Sequence, residues 1–188
     1  MERRYRRVGA GGGWPASAED VEAAVDHLSR IDDARLDLRG VVAIGHSAGG
    51  HLALAVAARG RTRSPAVPIA GVLSLAAVCD LELAARLDLG NGAVPAFMGG
   101  SPAEIPADYE EASPRLHIPL RVPHVHVHGY LDQRVPVGMT IEFVAAARAA
   151  GDGATAILLE GTDHFALIDP DHRAWREAVP ALDSLVLH

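Results

Sequence analysis

The chain has 188 residues, 49% hydrophobic and 22% charged, which predicts a single globular domain over residues 1–188. Its formal net charge of −7 argues against a nucleic-acid partner and an anionic membrane surface, and the absence of lysine excludes Schiff-base and Walker A chemistry. A single cysteine, Cys79, and the lack of an apolar signal or membrane-spanning segment predict a cytoplasmic protein without an internal disulfide or a membrane partner.

Strands and helices alternate along the chain. Four short apolar runs bounded by turn residues predict strands, and the segments between them carry apolar residues at helical spacing. Such alternation predicts an α/β fold, in which a mostly parallel sheet is covered by helices on both faces. In chain order, the predicted elements are a helix at 17–31, a strand at 41–45, a helix at 48–59, strands at 69–77 and 124–129, a helix at 137–150, a strand at 155–161 and a final helix at 175–185.

Local signals predict where these helices begin and end. Ser17 has the residue type of an N-cap, with Asp20 three residues later as its capping-box partner. Gly60 and Gly151 follow helical segments and predict their ends, and Pro180 predicts a kink in the last helix. Residues 80–121 are rich in proline, glycine and acidic residues, and we interpret them as an irregular excursion that forms a small cap over one end of the sheet.

The stretch VVAIGHSAGG at 41–50 predicts a nucleophilic serine. It places Ser47 in a Gly-x-Ser-x-Gly turn between an apolar strand and a helix, where Gly45 and Gly49 let the two elements approach closely. The helix that follows directs its N-terminus toward the serine, so we expect the Ala48 N–H to stabilise an oxyanion. His46 precedes the serine and is expected to border the substrate pocket.

A serine nucleophile requires a base and a carboxylate that orients the base. Asp132 follows the strand at 124–129 and His164 follows the strand at 155–161, so both are expected at the carboxyl edge of the sheet. Their order after the serine is the order that a nucleophile elbow requires. Asp80 is the competing acid, and the neighbouring Asp163 and the later His172 are the rivals of His164.

Three motifs carry a resemblance to a known family. GHSAGGHLAL, the HG..D..VP stretch and the closing G.DHF resemble the α/β-hydrolase superfamily, in its esterase/lipase-like branch near kynurenine formamidases and prolyl-oligopeptidase-type catalytic domains. The resemblance covers most of the chain and matches Ser47 to the nucleophile, Asp132 to the acid and His164 to the base. It implies hydrolysis of a small ester or amide through an acyl-enzyme, without a cofactor.

The N-terminal region departs from this family. Members of the branch carry an HGG-type motif that supplies further oxyanion N–H groups, whereas here only a glycine-rich loop at 9–14 is similar to it. Trp14 either lines an acyl pocket or fastens this loop to the next helix. Residues 5–7 resemble the end of a strand, so we expect the chain to lack the first strands of the family's sheet. The strand at 41–45 would then be an exposed edge, open to pairing in a homodimer.

Three histidines alternate on one strand. His124, His126 and His128 face one side and could be metal ligands, but successive positions lie about 6–7 Å apart, which favours packing over a metal site. His51, in the apolar helix, is expected to be a hydrogen-bonded core residue. Small-ester hydrolysis is the favoured function. The alternatives are a formamidase or peptidase-like amide hydrolase, and a catalytically impaired relative that acts as a binding or assembly module.

Overall fold

The sheet contains four parallel strands that pair with one another in chain order. The computed structural model describes residues 5–186. All four predicted strands are confirmed, with small shifts at their ends. They are β1 (Val42–His46), β2 (Gly71–Leu75), β3 (His124–Gly129) and β4 (Ala154–Leu159).

Within residues 5–186, eight α-helices surround this sheet, which confirms the predicted α/β architecture. None of them combines the length and the apolar character needed to cross a bilayer. The helices are α1 (Ala16–Asp26), α2 (Ala48–Arg63), α3 (Leu81–Arg86), α4 (Ala93–Met98), α5 (Pro106–Ala112), α6 (Val137–Ala149), α7 (Arg173–Ala178) and α8 (Pro180–Val186).

Helices cover both faces of the sheet because the central strands are apolar or hydrogen-bonded on both sides. Val72 of β2 packs in a core with α2 and α6. Its neighbour Leu73 points the opposite way and packs in a second core with α7 and α8, as does Val125 of β3. Every residue of β2 and β3 is buried, as expected for inner strands of a parallel sheet.

The predicted capping box at the first helix is wrong. Helix α1 begins before Ser17, and its N-cap Pro15 provides no side-chain hydrogen bond. The Ser17 hydroxyl instead donates to Arg6 O at 2.7 Å and accepts from the Gly13 N–H at 3.1 Å. Asp20 accepts hydrogen bonds from the Arg6 guanidinium at 2.8 Å. These side chains therefore hold the N-terminal segment, which also has no strand at residues 5–7.

Helix α2 continues past Gly60, which the sequence predicts as its end. It stops at Ser64, whose φ of 48° is left-handed. The last turn is held from outside the helix, because Arg63 pairs with Glu22 at 3.4 Å and Arg61 donates to His117 O at 3.2 Å. Other predicted boundaries are confirmed. Helix α6 ends just before Gly151, and the predicted last helix is interrupted at Pro180, which divides it into α7 and α8.

The excursion at 80–121 is more regular than predicted, since it contains α3, α4 and α5. Each has a local signal: Asp80 accepts from the Leu83 N–H at 2.9 Å as the N-cap of α3, and Pro106 opens α5. Gly92 and Gly99, both left-handed, bracket α4. Helices of six or seven residues are too short to show a clear apolar period, which explains why the sequence does not reveal them.

Strand β1 pairs with β2 on one side only, within the described part of the chain. Ile44, in its middle, is 48% exposed. The predicted exposed apolar edge is therefore present in residues 5–186.

Candidate active site

Ser47 lies in a strained turn between β1 and α2. Its backbone has φ 56° and ψ −119°, a conformation that L-residues rarely adopt. A side chain at Gly45 would overlap the carbonyl oxygen of Gly49, so this glycine is required for the close approach. The predicted close approach at Gly49 is wrong, because a Cβ added there would meet no other atom within 4 Å. The second close contact is at Gly50, where an added Cβ would lie 2.6 Å from Ala77 Cβ. The turn holds Ser47 at the carboxyl edge of the sheet.

The structure brings the predicted acid and base together. Asp132 lies in the loop after β3 and His164 in the loop after β4, and His164 Nδ1 donates to Asp132 Oδ2 at 2.6 Å. The Asp132 side chain is fully buried and that of His164 is nearly so. Of the rival side chains, Asp80 caps α3 and His172 caps α7, whereas Asp163 accepts hydrogen bonds from the N–H groups of the two residues after His164.

Asp132 is held in its ionised form by several donors. Burial alone would raise the pKa of this carboxyl, but hydrogen bonds from His128, His164 and the N–H groups of Val135 and Arg134 outweigh it and lower the pKa well below its ordinary value. The two backbone donors bind Oδ1 at 2.9 and 2.8 Å. Asp132 can therefore fix the His164 ring and stabilise its protonated form.

His128 is a contact of Asp132 that the sequence did not reveal. Its Nε2 lies 3.2 Å from Asp132 Oδ2 and donates to Val135 O at 3.0 Å, and Thr140 Oγ1 lies 2.8 Å from its Nδ1. This buried imidazole therefore braces the loop that carries the acid. The sequence offers one signal for this contact: His128 is the last of the three alternating histidines of β3 and lies four residues before Asp132.

The other two β3 histidines also form hydrogen bonds inside the fold. His126 Nδ1 lies 2.6 Å from Ser74 Oγ, and His124 Nδ1 lies 2.7 Å from His126 Nε2. Burial lowers the pKa of both rings, which favours their neutral forms. In residues 5–186, no three His, Cys, Asp or Glu side chains are arranged to bind one metal ion.

Ser47 and His164 line the same cleft, which we call the Ser47 cleft. It has a volume of about 630 Å³ and is mostly apolar. No hydrogen bond joins the two side chains among the described residues, and such contacts often tighten only when substrate binds. The remaining lining residues are Tyr5, Arg7, Val8, Ser17, His46, Ala48, His51, Leu52, Val78, Leu81, Leu89, Gly90, Ala93, Val94, Phe97, Arg134, Val135 and Phe165.

His46 borders the cleft and contacts His164, the predicted base. Its Nε2 donates to His164 O at 2.9 Å, and the two ring centroids are 4.4 Å apart. Burial, and then the charge of His164, lower the pKa of His46. A neutral His46 can hold the His164 loop without adding a positive charge beside the base.

Ala48 and Trp14 have different positions relative to the cleft. Ala48 lines it as the first residue of α2, where an N–H has no acceptor within the helix. Trp14 does not line it: the ring packs against the core near Leu52, with the Arg59 guanidinium 4.9 Å from its centroid. The Trp14 ring therefore packs the glycine-rich loop against α1 and α2, and a role of Trp14 at the substrate stays a prediction.

His51 is the hydrogen-bonded core residue that the sequence predicts. Its Nε2 donates to Ala112 O at 2.9 Å, and the edge of its ring meets Phe97. Burial lowers the pKa of His51 to about 4, against the opposing effect of the Ala112 carbonyl. The ring is therefore neutral in the folded protein at neutral pH.

We expect His51 to make the protein less stable as the pH falls from about 6.5, the value in an unfolded chain, to about 4. Between these pH values the unfolded chain binds more protons than the folded chain, so the free energy of unfolding decreases by about 3 kcal/mol in total as the pH falls. Above pH 6.5 His51 is neutral in both states and adds nothing to the pH dependence of stability. His51→Gln keeps a donor for Ala112 O without titrating. Urea unfolding at pH 7 and pH 4.5 should show a smaller loss in this variant, and equal losses would contradict the assignment.

The family comparison identifies the chain over most of its length. The family model described as BD-FAE matches residues 3–146, which include Ser47 and Asp132 and end before β4. No curated protein sequence matches the chain significantly.

The solved structures that share this fold include esterases. A truncated carbohydrate esterase from gut microbiota has 18% identity and a TM-score of 0.82, over 98% of this chain and 73% of that one. An acetyl ester-xyloside bifunctional hydrolase from Caldicellulosiruptor lactoaceticus has 20% identity and a TM-score of 0.77, over 97% and 70%. A propionate-bound esterase from Thermogutta terrifontis, a Planctomycetes species, has 21% identity and a TM-score of 0.72, over 97% and 69%.

These likenesses confirm the α/β-hydrolase fold that the sequence motifs predict. Because the sequence identities are low, the solved structures establish only the fold. The family follows from the match of the sequence to the family model. The chain belongs to the BD-FAE family, an esterase family of the α/β-hydrolase type.

Proposed function

We propose that this chain hydrolyses small carboxylic esters through an acyl-enzyme. Ser47 is the nucleophile, His164 the general base and Asp132 the carboxylate that orients the base. The observation that carries the proposal is the 2.6 Å hydrogen bond between His164 Nδ1 and Asp132 Oδ2, beside the cleft that Ser47 and His164 both line.

The reaction follows from this arrangement. Ser47 Oγ attacks the ester carbonyl while His164 Nε2 accepts its proton, and the charge on the imidazolium is balanced by Asp132. The Ala48 N–H and the N-terminus of α2 stabilise the oxyanion of the tetrahedral intermediate. His164 then gives its proton to the leaving alcohol, and a water molecule repeats the sequence on the acyl-enzyme, releasing the carboxylic acid and restoring Ser47.

The choice of small esters rests on the cleft and on the relatives. The walls of the Ser47 cleft are mostly apolar, which suits a short acyl chain. The fold neighbours include an acetyl ester-xyloside hydrolase and one esterase from Thermogutta terrifontis, which is seen with propionate bound and, separately, modified by tabun. Together these observations support an ester of a short carboxylic acid over an amide.

Hydrolysis of matched acetyl compounds tests this proposal. The purified 188-residue chain is expected to turn over 4-nitrophenyl acetate with saturation kinetics, and 4-nitroacetanilide at least a hundredfold more slowly. Preferred cleavage of the anilide would support the alternative of an amide hydrolase. A folded chain that turns over neither compound would contradict the proposal.

The second candidate is a catalytically impaired relative that acts as a binding or assembly module. It is favoured by the glycine-rich loop, whose N–H groups do not all remain available: those of Ala10 and Gly12 donate to Arg7 O, and that of Trp14 donates to Phe97 O. A single oxyanion donor, Ala48, would leave the intermediate less well stabilised, by about 3–4 kcal/mol per missing donor. This candidate predicts a folded chain that binds esters without turnover.

The exposed edge of β1 supports a homodimer as the assembly of this chain. Two copies can pair their β1 strands antiparallel around a two-fold axis, which places Ile44 of each copy in the interface. Light scattering across a concentration series should give twice the chain mass, and Ile44→Arg should return it to the mass of one chain. A wild-type chain that stays monomeric at all concentrations would contradict the homodimer.

A further inference from the structure

The Ser47 cleft carries positive charge although the protein as a whole is acidic. The sequence has 24 acidic residues against 17 basic ones. Among the described residues that line the cleft, however, two are arginines, Arg7 and Arg134, and none is aspartate or glutamate. Asp132 lies behind His164 and is buried from the cleft.

Both arginines are fixed at the backbone and exposed at the side chain. Arg134 donates its N–H to Asp132 Oδ1 at 2.8 Å, so its position is tied to the catalytic acid. Arg7 O accepts from the N–H groups of Ala10 and Gly12 at 2.9 and 3.0 Å. Both residues are exposed, and these hydrogen bonds fix the backbone positions from which their side chains extend at the cleft wall.

Neither guanidinium is neutralised within residues 5–186. No carboxylate there lies within 4.0 Å of either group, whereas Arg59, outside the cleft, pairs with both Glu22 and Glu111. The N-terminus of α2 adds a partial positive charge beside Ser47. The electrostatic environment of the site is therefore positive from several directions.

We propose that the Ser47 cleft selects esters that carry a carboxylate, which the Arg7 and Arg134 guanidinium groups bind. A neutral ester needs only the apolar walls and the elbow, so two guanidinium groups that have no carboxylate partner within residues 5–186 are not explained by ester hydrolysis alone. Guanidinium binds carboxylate through paired charge-assisted hydrogen bonds. This inference rests on the proposed function, because it names the substrate class of the same site.

Two pairs of substrates test the proposal and locate the carboxylate. In the first pair the charge is on the acyl side: 4-nitrophenyl hydrogen adipate against 4-nitrophenyl methyl adipate. In the second it is on the alcohol side: 3-acetoxybenzoate against its methyl ester. We expect the wild-type chain to prefer the charged member of at least one pair by about tenfold in kcat/KM, as charge-assisted hydrogen bonds allow.

The variants Arg7→Gln and Arg134→Gln should each reduce that preference, the ratio of kcat/KM for the charged member to kcat/KM for the neutral member, severalfold to about tenfold. Arg176→Gln is the matched control, because it removes one exposed charge from α7, outside the cleft lining. It should leave the preference unchanged. If both cleft variants keep the preference of the wild-type chain, as the control variant is expected to do, the proposal is overturned.

Binding to the Ser47→Ala chain separates this proposal from the proposed function. Calorimetric titration with the same four esters measures their dissociation constants when no turnover is expected. A tighter Kd for a charged member, weakened by Arg7→Gln or Arg134→Gln, supports the carboxylate site even if the wild-type chain hydrolyses nothing. Equal Kd values within both pairs would overturn it even if neutral esters are hydrolysed well.

Discussion

Replacing Ser47 with alanine is expected to lower kcat for 4-nitrophenyl acetate by up to about a millionfold, the size of effect seen when a triad serine is removed. The variant keeps the cleft, His164 and Asp132 but has no oxygen to acylate. Initial rates at saturating substrate measure the effect. Ser17→Ala is the matched control, because this serine also lines the cleft but its hydroxyl binds Arg6 O and the Gly13 N–H.

The control should keep kcat within about tenfold of wild type, since Ser17 has no part in the proposed chemistry. Comparable losses in both variants would contradict the assignment of Ser47. Ser47→Gly adds a second readout: it should be as inactive as Ser47→Ala but more stable than it by about 1 kcal/mol, because glycine adopts φ 56° without strain. Thermal or urea unfolding checks this difference.

Replacing Asp132 with asparagine is expected to lower kcat by about ten-thousandfold. The amide can donate to His164 Nδ1, which favours the tautomer that carries its proton on Nε2, where Ser47 needs an acceptor. The variant also removes the charge that stabilises the imidazolium. Asp132 does not line the cleft, so KM should change much less than kcat.

Asp80→Asn is the matched control for this acid, since Asp80 follows β2 and its carboxylate caps α3. It should reduce stability by about 1 kcal/mol or less and leave kcat nearly unchanged. A larger loss of kcat in Asp80→Asn than in Asp132→Asn would make Asp80 the acid. Because the pKa of Asp132 is lowered far below its ordinary value, loss of activity on acidification above pH 5 must come from another group.

The sequence predicts the elements that position the site. Its four predicted runs become the four strands, and the two inner strands, β2 and β3, are apolar or internally hydrogen-bonded on both faces, as a parallel sheet requires. Parallel strands end at one edge, so the residues that follow them converge there. That is why chain order alone predicts the contact between Asp132 and His164.

Features that depend on tertiary contacts are not predictable from local signals. Ser17 has the residue type of an N-cap, but its hydroxyl binds the loop below it. Gly60 lies inside α2 because Arg61 and Arg63 are anchored to other segments. The sequence allows Trp14 to lie in a pocket wall or against the core, and only the fold shows that its ring packs against the core near Leu52.

His128 shows the same limit within the site. On the sequence it is one of three alternating histidines with a packing or metal-binding interpretation. In the fold, the turn after β3 brings the Asp132 carboxylate to 3.2 Å from the His128 ring, so His128 alone of the three contacts the predicted acid. Alternation predicts the shared face of the three rings, but the turn determines which ring contacts the carboxylate.

Reaction with a fluorophosphonate, followed by intact-mass measurement and peptide mapping, tests the central claim most directly. The probe reacts only with a serine that a base has activated, so it reports on Ser47, His164 and Asp132 together. The account predicts one adduct per folded chain, located on Ser47 and strongly slowed in Asp132→Asn. A folded wild-type chain that gains no adduct, or gains it on another serine, would contradict it.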